Sequence, residues 1–356
     1  MLLLQTLAAL AVAFAAAVGL VSVLRRPAVA IGLVDAPCAR RRHRGEIPVI
    51  GGVAIFLAFV VSLFLVAHLP AAVVTLVLGM SILMAMGLID DILDIPAIPR
   101  LLVQVLVAGV MVVWGGVEIR TLGNLFGFGE VGLGAFSIPF TVLCTVFMIN
   151  AMNMADGMDG LAGGMAVVIL SMLALFGWLG GKDPGLISVA LVLATATLGF
   201  LVFNLRSPFR SRATVFMGDA GSMMLGFAIA WVTISMARNG GGQIPPVALA
   251  WVLLLPAMDT FAVSLRRMAR GRSPLAPDRT HLHHLVGRCG FSIRSTVRAL
   301  LLLTLAGGLV GLIGWYFVAL EPLLFWLAAV LFVSHAGILL AAGPIMMRIR
   351  RRIRPT

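Results

Sequence analysis

The sequence predicts an all-α integral membrane protein, a polytopic bundle of about eleven transmembrane helices, and two observations support that prediction. Of its 356 residues, 61% are hydrophobic and only 11% are charged, and the mean hydropathy is +1.10. Apolar runs of about 20 residues, which span a bilayer when helical, recur along the whole chain. A helix is the expected form of each run because it hydrogen-bonds its own backbone within hydrocarbon.

The predicted spans form a single polytopic membrane domain, residues 1–356, without an internal repeat or a second domain. Each boundary is expected to be accurate to a few residues. In order, the spans cover residues 2–24, 49–67, 71–89, 101–118, 137–152, 162–180, 186–204, 220–237, 246–265, 299–319 and 322–346.

The basic residues are distributed unequally between alternate loops. If the loop after the first span is cytoplasmic, all but three of the 26 Lys and Arg residues lie on that side. Only Arg120, Lys182 and Arg238 fall on the other side. This asymmetry follows the positive-inside rule and predicts an N-terminus outside and a C-terminus in the cytoplasm.

The net charge of +12 is explained by this topology, so no nucleic-acid partner is expected. Three cysteines, Cys38, Cys144 and Cys289, form no CxxC pair and predict no disulfide framework.

The acidic residues also concentrate on the predicted cytoplasmic side, where all but four of the fourteen lie in separate loops. Several helix ends that bring carboxylates to one membrane face are typical of a shared polar site. The predicted active-site loops are residues 25–48, 90–100, 153–161, 205–219 and 266–298.

The first acidic motif, "GLIDDILDIPAIPR", ends the third predicted span and contains Asp90, Asp91 and Asp94. Three like charges at a helix C-terminus repel one another and oppose the helix macrodipole. A compensating cation or a chemical role would explain them, and a solvated helix end is the alternative.

The second motif, "NAMNMADGMDGLAGG", spaces Asn150 from Asn153 and Asp156 from Asp159 by three residues, so each pair can share a helical face. Amide and carboxylate oxygens are hard ligands that suit Mg²⁺, which also binds substrate phosphates. Helix packing through Asn and Gly is the alternative, and it does not account for the two acids.

The third motif, "RATVFMGDAGSMMLGF", places Asp219 between two glycines at the start of a helix. Backbone N–H groups at such a start could cradle a phosphate, and Phe216 could stack on a nucleobase. A plain helix start is the alternative interpretation.

The fourth motif, "SPLAPDRTHLHHLVGRCG", gathers Arg279, His281, His283 and His284 in the largest predicted cytoplasmic loop. Arg can bind phosphate in a bidentate manner, and imidazole can donate to phosphate oxygens. A zinc site would need more ligands than this spacing offers, and solvated loop histidines remain an alternative.

Together the four motifs indicate phosphoryl transfer at a cytoplasmic membrane face, where catalysis depends on positioning and charge neutralisation. With "GLVDAPCARRRHRGEIPVIGG" at residues 32–52, they resemble the polyprenyl-phosphate N-acetylhexosamine-1-phosphate transferases. The closest branch transfers GlcNAc-1-phosphate from UDP-GlcNAc to undecaprenyl phosphate. The sister branch that makes the first peptidoglycan lipid intermediate typically has a Lys after the Asp pair and three consecutive His, unlike Asp94 and "HLHH" here.

The resemblance implies a role for each motif residue. Asp219 would bind Mg²⁺ or Mn²⁺ with Asn153 beside it, and Asp90 and Asp91 would position or deprotonate the acceptor phosphate. The remaining assignments are Asp156 and His281 as catalytic residues, Asn150, Asp159 and Phe216 in the uridine pocket, and Arg279, His283 and His284 on the donor's phosphates or sugar.

The same resemblance implies a bacterial inner-membrane location, with the active site facing the cytoplasm and homodimerisation left open. The implied reaction is attack of undecaprenyl phosphate on the β-phosphorus of UDP-GlcNAc, and a covalent aspartyl intermediate is the rival scheme. Another UDP-N-acetylhexosamine donor is a second alternative. A transporter of polyprenyl-linked sugars is disfavoured because its polar groups would lie near the bilayer midplane.

Overall fold

The computed structural model describes residues 2–35, 46–208, 210–237, 244–273, 280–318 and 320–353, which are mainly helical. The helices are α1 (Leu2–Ala30), α2 (Gly51–Leu63), α3 (Val73–Leu93), α4 (Ala97–Val113), α5 (Ser137–Ala155), α6 (Leu161–Leu179), α7 (Pro184–Asn204), α8 (Gly218–Ala237), α9 (Pro246–Val252), α10 (Leu254–Met268), α11 (Leu282–Arg288), α12 (Ile293–Ile313) and α13 (Glu321–Ile353). Two short strands, β1 (Val34–Asp35) and β2 (Ile47–Pro48), pair antiparallel.

Within the described ranges, eight helices are long and apolar enough to cross a membrane: α1, α3, α5, α6, α7, α8, α12 and α13. This confirms an all-α, multi-pass membrane protein. Two of the predicted spans correspond to the shorter helices α2 and α4, of 13 and 17 residues. At 1.5 Å per residue, α2 is only about 20 Å long, less than the hydrocarbon thickness.

The span predicted over residues 246–265 is not one straight helix. It is divided between α9 and α10, whose axes differ by 80°. Pro256 explains the break, because its ring has no N–H to donate and clashes with the carbonyl of Val252, the last residue of α9. Two predicted loops are also partly helical, since α1 continues to Ala30 and α3 includes Asp90 and Asp91.

Helix α8 lies at the centre of the bundle and packs chiefly against α3 and α5. Nearly all of its residues are buried, including Phe227 and Trp231, as expected for a helix that is apolar on every side. Small residues allow the close approach, since a Cβ on Gly226 would lie 2.7 Å from the Cα of Ile149 on α5.

The ends of these helices meet at one end of the bundle. A Cβ on Gly87 would lie 2.2 Å from the Cα of Ala220, so the last turns of α3 touch the first turn of α8. Residues before α2 also pair with the segment before α8, where the amide N–H of Phe216 donates to the carbonyl of Pro48 at 2.9 Å. These contacts place the Asp motif of α3 beside Asp219.

Candidate active site

Asp91 caps the N-terminus of α8. Its carboxylate accepts the backbone N–H of Asp219 at 3.0 Å and that of Ala220 at 3.4 Å. Gly218 makes the turn in the left-handed conformation, with φ +75°, and a Cβ there would lie 2.4 Å from Asp91 Oδ2. The predicted phosphate cradle is therefore wrong at these two N–H groups, because the Asp91 carboxylate already binds them.

Asp90 lies beside Asp219 and is paired with Arg100 from the first turn of α4. The Asp90 carboxylate, whose side chain is 2% exposed, accepts Arg100 Nη1 at 2.5 Å and the N–H of Ile95 at 2.7 Å. Arg100 Nη1 also lies 3.6 Å from Asp219 Oδ2. Sequence reasoning missed Arg100 as a site residue, although its position directly after Pro99 and three nearby aspartates was a usable signal.

Asn153 lies next to Asp219, as the sequence predicted. Its Nδ2 donates to Asp219 Oδ1 at 2.7 Å and to the hydroxyl of Ser222 at 3.0 Å. In this arrangement the amide nitrogen, and not the amide oxygen, faces the carboxylate. Asn153 therefore orients Asp219.

The acidic centre fits a hard divalent cation that keeps part of its coordination for water and phosphate. In the described part of the chain, no three His, Cys, Asp or Glu side chains are grouped as a complete metal site. The Asp90 and Asp219 carboxylates nevertheless share one nearby cation, since Arg100 Nη1 lies 2.5 Å from Asp90 Oδ2 and 3.6 Å from Asp219 Oδ2. Mg²⁺ needs only one or two protein carboxylates when substrate phosphates complete its shell, so this pair fits.

Asp156 ends α5 and is half-buried in the loop that leads to α6. Burial raises the pKa of Asp156 to about 7, and the nearby carboxylates of Asp219, Asp91 and Asp159 raise it further. Four acids therefore influence one another at this end of the bundle. The structure brings Asp156 to the same acidic centre as the residues of α3 and α8.

Asp159, in the same loop, lines a cavity of about 1010 Å³ with Phe216. Arg206 Nε donates to Asp159 Oδ2 at 2.7 Å, and the N–H of Ala213 donates to the same oxygen at 3.1 Å. The wall of the cavity also contains basic side chains, namely Arg25, Arg26, Arg206 and Arg212. A wide pocket with one aromatic ring and several arginines suits an anionic ligand with a flat ring.

Asn150 does not join Asp159 and Phe216, contrary to the predicted uridine pocket. Its Nδ2 donates to Gln104 Oε1 at 2.6 Å and to the carbonyl of Val146 at 2.8 Å, and the described wall of the cavity does not include it. Asn150 lies nearly one turn closer to the middle of α5 than Asn153, which explains the separation.

Asn204 was missed and holds the pocket wall together. Its Oδ1 accepts the N–H of Gly160 at 2.8 Å, and its Nδ2 donates to the carbonyl of Val215 at 2.9 Å. It is buried at the end of α7. An Asn as the last residue of an apolar helix was the only signal in the sequence.

The histidine motif forms the short helix α11 and its first cap residue. His281 Nδ1 lies 2.9 Å from Asp259 Oδ2, and His281 Nε2 lies 3.3 Å from Arg267 Nη2. Both ring nitrogens of His281 are therefore engaged within the protein, and neither is free to bind a phosphate. Asp259 and Arg267 were not predicted as site residues.

His283 reaches the loop that carries Asp156 and Asp159. It is 3% exposed, and a Cβ on Gly157 would lie 2.4 Å from its Nε2. Burial lowers the pKa of His283 to about 3, and His284 and His281 lower it further. His283 is thus neutral near pH 7, so it could contact a phosphate through a hydrogen bond but not as a cation. The ring of His284 follows at 4.2 Å, and Arg279 lies outside the described residues.

The fold and these side chains define a polytopic membrane enzyme with an acidic centre for phosphate chemistry. Residues 73–237 match the model of glycosyl transferase family 4. The chain is 37% identical over 291 residues to an Escherichia coli K12 protein, covering 82% of this chain and 78% of the relative. It is 38% identical to a Yersinia pestis relative and 32% to one from Haemophilus influenzae, each over 293 residues, with 82% of this chain and 79% and 81% of the relatives covered.

All three relatives are named undecaprenyl-phosphate alpha-N-acetylglucosaminyl 1-phosphate transferase. This chain belongs to glycosyl transferase family 4 and is a phosphotransferase of the polyprenyl-phosphate N-acetylhexosamine-1-phosphate type. The resemblance inferred from the four motifs is thereby confirmed.

Proposed function

We propose that this protein transfers GlcNAc-1-phosphate from UDP-GlcNAc to undecaprenyl phosphate, releasing UMP and forming undecaprenyl-diphospho-GlcNAc. The observation that supports it best is the convergence of Asp90, Asp91, Asp156 and Asp219 in a chain so similar to relatives of that name. The product would serve as the starting unit of a cell-envelope polysaccharide.

Asp219 and Asp90 are the residues that would hold Mg²⁺ or Mn²⁺. Such an ion neutralises the phosphate charges that the donor and acceptor bring together. Asn153 orients Asp219 through its 2.7 Å hydrogen bond, and Asp91 fixes the backbone of Asp219 through the cap of α8. These two residues therefore position the acidic centre.

The 1010 Å³ cavity would receive the nucleotide. Phe216 offers a face for the uracil ring, and Arg206 and Arg212 offer positive charge for the diphosphate. Asp159 is held by Arg206 and the N–H of Ala213, so its carboxylate has a fixed direction toward the pocket wall. Asp156 interacts electrostatically with Asp159 of the pocket wall and with Asp219 and Asp91 of the acidic centre, so the diphosphate would pass beside this loop, on which His283 packs at Gly157.

The reaction is a direct displacement. An oxygen of undecaprenyl phosphate forms a bond to the β-phosphorus of UDP-GlcNAc, and the bond from that phosphorus to the oxygen of UMP breaks. A phosphate monoester has its second pKa near ~6 and is already largely dianionic at neutral pH, so no strong base is needed. Asp90, bound to Arg100 and to the N–H of Ile95, positions the charges in this scheme.

The covalent alternative would need one of these carboxylates as a nucleophile. Both oxygens of Asp90 and both oxygens of Asp91 already accept hydrogen bonds, which makes each a weaker nucleophile. Single-turnover kinetics separate the two schemes. UMP release without lipid acceptor, with sugar phosphate bound to the protein, would refute direct displacement.

The proposed location is the bacterial inner membrane, with about eleven spans, the N-terminus outside and the acidic centre facing the cytoplasm. The support is the concentration of Arg and Lys in alternate loops. Protease accessibility of tags fused to each terminus in sealed vesicles tests this orientation.

The central experiment is a panel of UDP-sugars supplied to the purified protein with undecaprenyl phosphate and Mg²⁺, the products identified by mass. UDP-GlcNAc is expected to be the preferred donor, and preference for another UDP-N-acetylhexosamine would correct the sugar. Asp219→Asn is expected to abolish the product at unchanged expression. Asp183→Asn, a helix cap that is not part of the site, is the matched control and should keep full activity.

A further inference from the structure

A network of charged and titratable side chains lies behind the histidine motif, and the reaction steps proposed above do not use it. Its centre is Asp259 on α10, whose side chain is 14% exposed. Oδ2 of Asp259 contacts His281 Nδ1 at 2.9 Å, and Oδ1 accepts the N–H of Leu282 at 2.8 Å. One carboxylate thus binds both the cap residue and the first residue of α11.

The contacts determine which nitrogen of His281 carries the proton. An ionised carboxylate only accepts hydrogen bonds, so Nδ1 of His281 must be the donor toward Asp259. Arg267 only donates, so Nε2 must be the acceptor at 3.3 Å. The two partners together select the neutral tautomer with its proton on Nδ1, because a second N–H would face the guanidinium.

Fixing His281 also fixes the ring that reaches the site. The rings of His281 and His283 are nearly parallel, at an angle of 10° with centroids 5.8 Å apart. His283 in turn packs closely on Gly157, between Asp156 and Asp159 in the sequence, where an added Cβ would lie 2.4 Å from its Nε2. That nitrogen is buried and has no hydrogen-bond partner among the described residues, so a polar group of the substrate that entered this loop would satisfy it.

The last membrane helix also contacts this network. His335 lies near the middle of α13, and its Nε2 is 3.7 Å from Asp259 Oδ1, just beyond hydrogen-bonding distance. α13 packs along α10, where Phe332 and Phe261 place their ring centroids 4.7 Å apart. The helix thereby adds a second imidazole to the same carboxylate.

The geometry points to Asp259 as a positioning residue, which fixes the tautomer and orientation of His281 and thereby places His283 beside the Asp156–Asp159 loop. His335 of α13 lies next to the same carboxylate. The inference rests on the proposed function, since it assigns these residues to the same transfer reaction.

Asp259→Asn tests the tautomer directly. The amide oxygen can still accept the N–H of Leu282, so the start of α11 is kept. Its NH₂ group then faces His281 Nδ1 and forces the proton to Nε2, against Arg267. Partners that orient a metal-bound histidine are typically worth about 10–100-fold in activity, and a fall of kcat in the same range is expected here.

If Asp259 positions His281, three results are expected that a purely structural defect would not give. The KM of Asp259→Asn for undecaprenyl phosphate should stay within about twofold of the wild-type value. The double variant Asp259→Asn/His281→Gln should lose no more kcat than His281→Gln alone. Asp259→Glu, which keeps the carboxylate, should recover part of the rate. Asp183→Asn, which alters a helix cap that bonds the N–H of Leu186, should leave kcat unchanged.

Each variant is compared with the turnover of the wild-type protein, measured with the UDP-sugar that the donor panel shows to be preferred. Absence of product from the wild type would refute the proposed function. A wild-type kcat in Asp259→Asn, or losses that multiply in the double variant, would overturn the positioning role alone. If Asp259→Asn does not accumulate as folded protein, Asp259→Glu and Asp259→Glu/His281→Gln complete the same cycle, and multiplied losses there overturn it equally.

Discussion

Replacing Arg100 with Met should destabilise the fold markedly, because it leaves the buried Asp90 without a counter-charge. The Asp90 side chain is 2% exposed and that of Arg100 29%, and the two are joined at 2.5 Å. Asp219 is 3.6 Å from the same guanidinium nitrogen, so the variant also leaves two close carboxylates without their shared cation. The destabilisation thus arises from an uncompensated charge more than from a lost contact.

The expected magnitude follows from the burial of the pair. Removing one partner of a buried ion pair costs about 3–5 kcal/mol, and partial exposure of Arg100 places this case near the lower limit. A chain of this size loses roughly 2 °C in melting temperature per kcal/mol, so Arg100→Met should melt about 6 °C below wild type. Arg100→Met/Asp90→Asn removes both charges and should recover most of that loss.

The assay is thermal unfolding of the purified protein in detergent with EDTA, followed by intrinsic tryptophan fluorescence. Arg120→Met is the matched control, because Arg120 also contacts a carboxylate, Glu118, at 2.5 Å but its side chain is 78% exposed. An exposed pair contributes only about 0–1 kcal/mol, so this variant should melt close to wild type. Equal melting of Arg100→Met and wild type, or no recovery in the double variant, would refute the reasoning.

Three further predictions concern packing, pH and the metal. Gly87→Ala should reduce both stability and turnover, because its Cβ would lie 2.2 Å from the Cα of Ala220. Gly109→Ala is the control and should reduce neither, because the space around Gly109 is open. Melting temperatures and turnover measured on both variants check this. The pKa of Asp156 is raised from 3.8 to about 7, so its ionisation disfavours the folded state, and stability falls as the pH rises from about 4 to about 7. In EDTA, Asp156→Asn should therefore melt close to wild type near pH 4, increasingly above it as the pH rises to about 7, and by a constant margin beyond that, and a pH-independent difference would contradict this assignment. Chelation should abolish turnover and added Mg²⁺ or Mn²⁺ should restore it, measured as UMP release; full activity in EDTA would exclude the proposed metal role.

Much of the fold could be predicted from sequence because hydrocarbon restricts backbone to a few forms. Runs of about 20 apolar residues must be helices there, which is why the bundle was predicted correctly. The short helix α2 and the 80° bend at α9 and α10 were not, because helix length and direction depend on packing against neighbours. Pro256 was visible in the sequence, but its position near the middle of an apolar run does not predict how far the two halves of that run bend.

The site was predictable where polar residues had no other reason to occupy membrane helices. Asp90, Asp156 and Asp219 do converge, and Asp159 does share a cavity with Phe216. Residues that act through partners far along the chain could not be found, because nothing local identifies the partner. Asp259 lies 22 positions from His281, and its contact depends on how α10 leaves the bend.

The distinction between structural and catalytic acids also needed the structure. Asp90 and Asp91 are neighbours in sequence, yet one carboxylate is turned to Arg100 and the other to the backbone of α8. The cap by Asp91 and the glycine contact at Gly87 hold Asp219 beside Asp90, although two carboxylates at that distance repel each other. Backbone contacts therefore hold the two carboxylates together against their repulsion before any substrate binds, which is the arrangement expected of a preorganised site.

Preorganisation has a direct consequence for how the acidic centre would bind cations. Because Asp91 and Asn153 hold Asp219 through 3.0 and 2.7 Å hydrogen bonds, the carboxylates cannot separate to relieve their repulsion. Added positive charge would relieve this repulsion, and Arg100 supplies part of that charge from one side. A divalent ion would supply the rest, so its affinity should rise in Arg100→Met as the fold loses its own cation. Mg²⁺ should then raise the melting temperature of Arg100→Met more than that of wild type, and an equal shift in both would separate the metal site from Arg100.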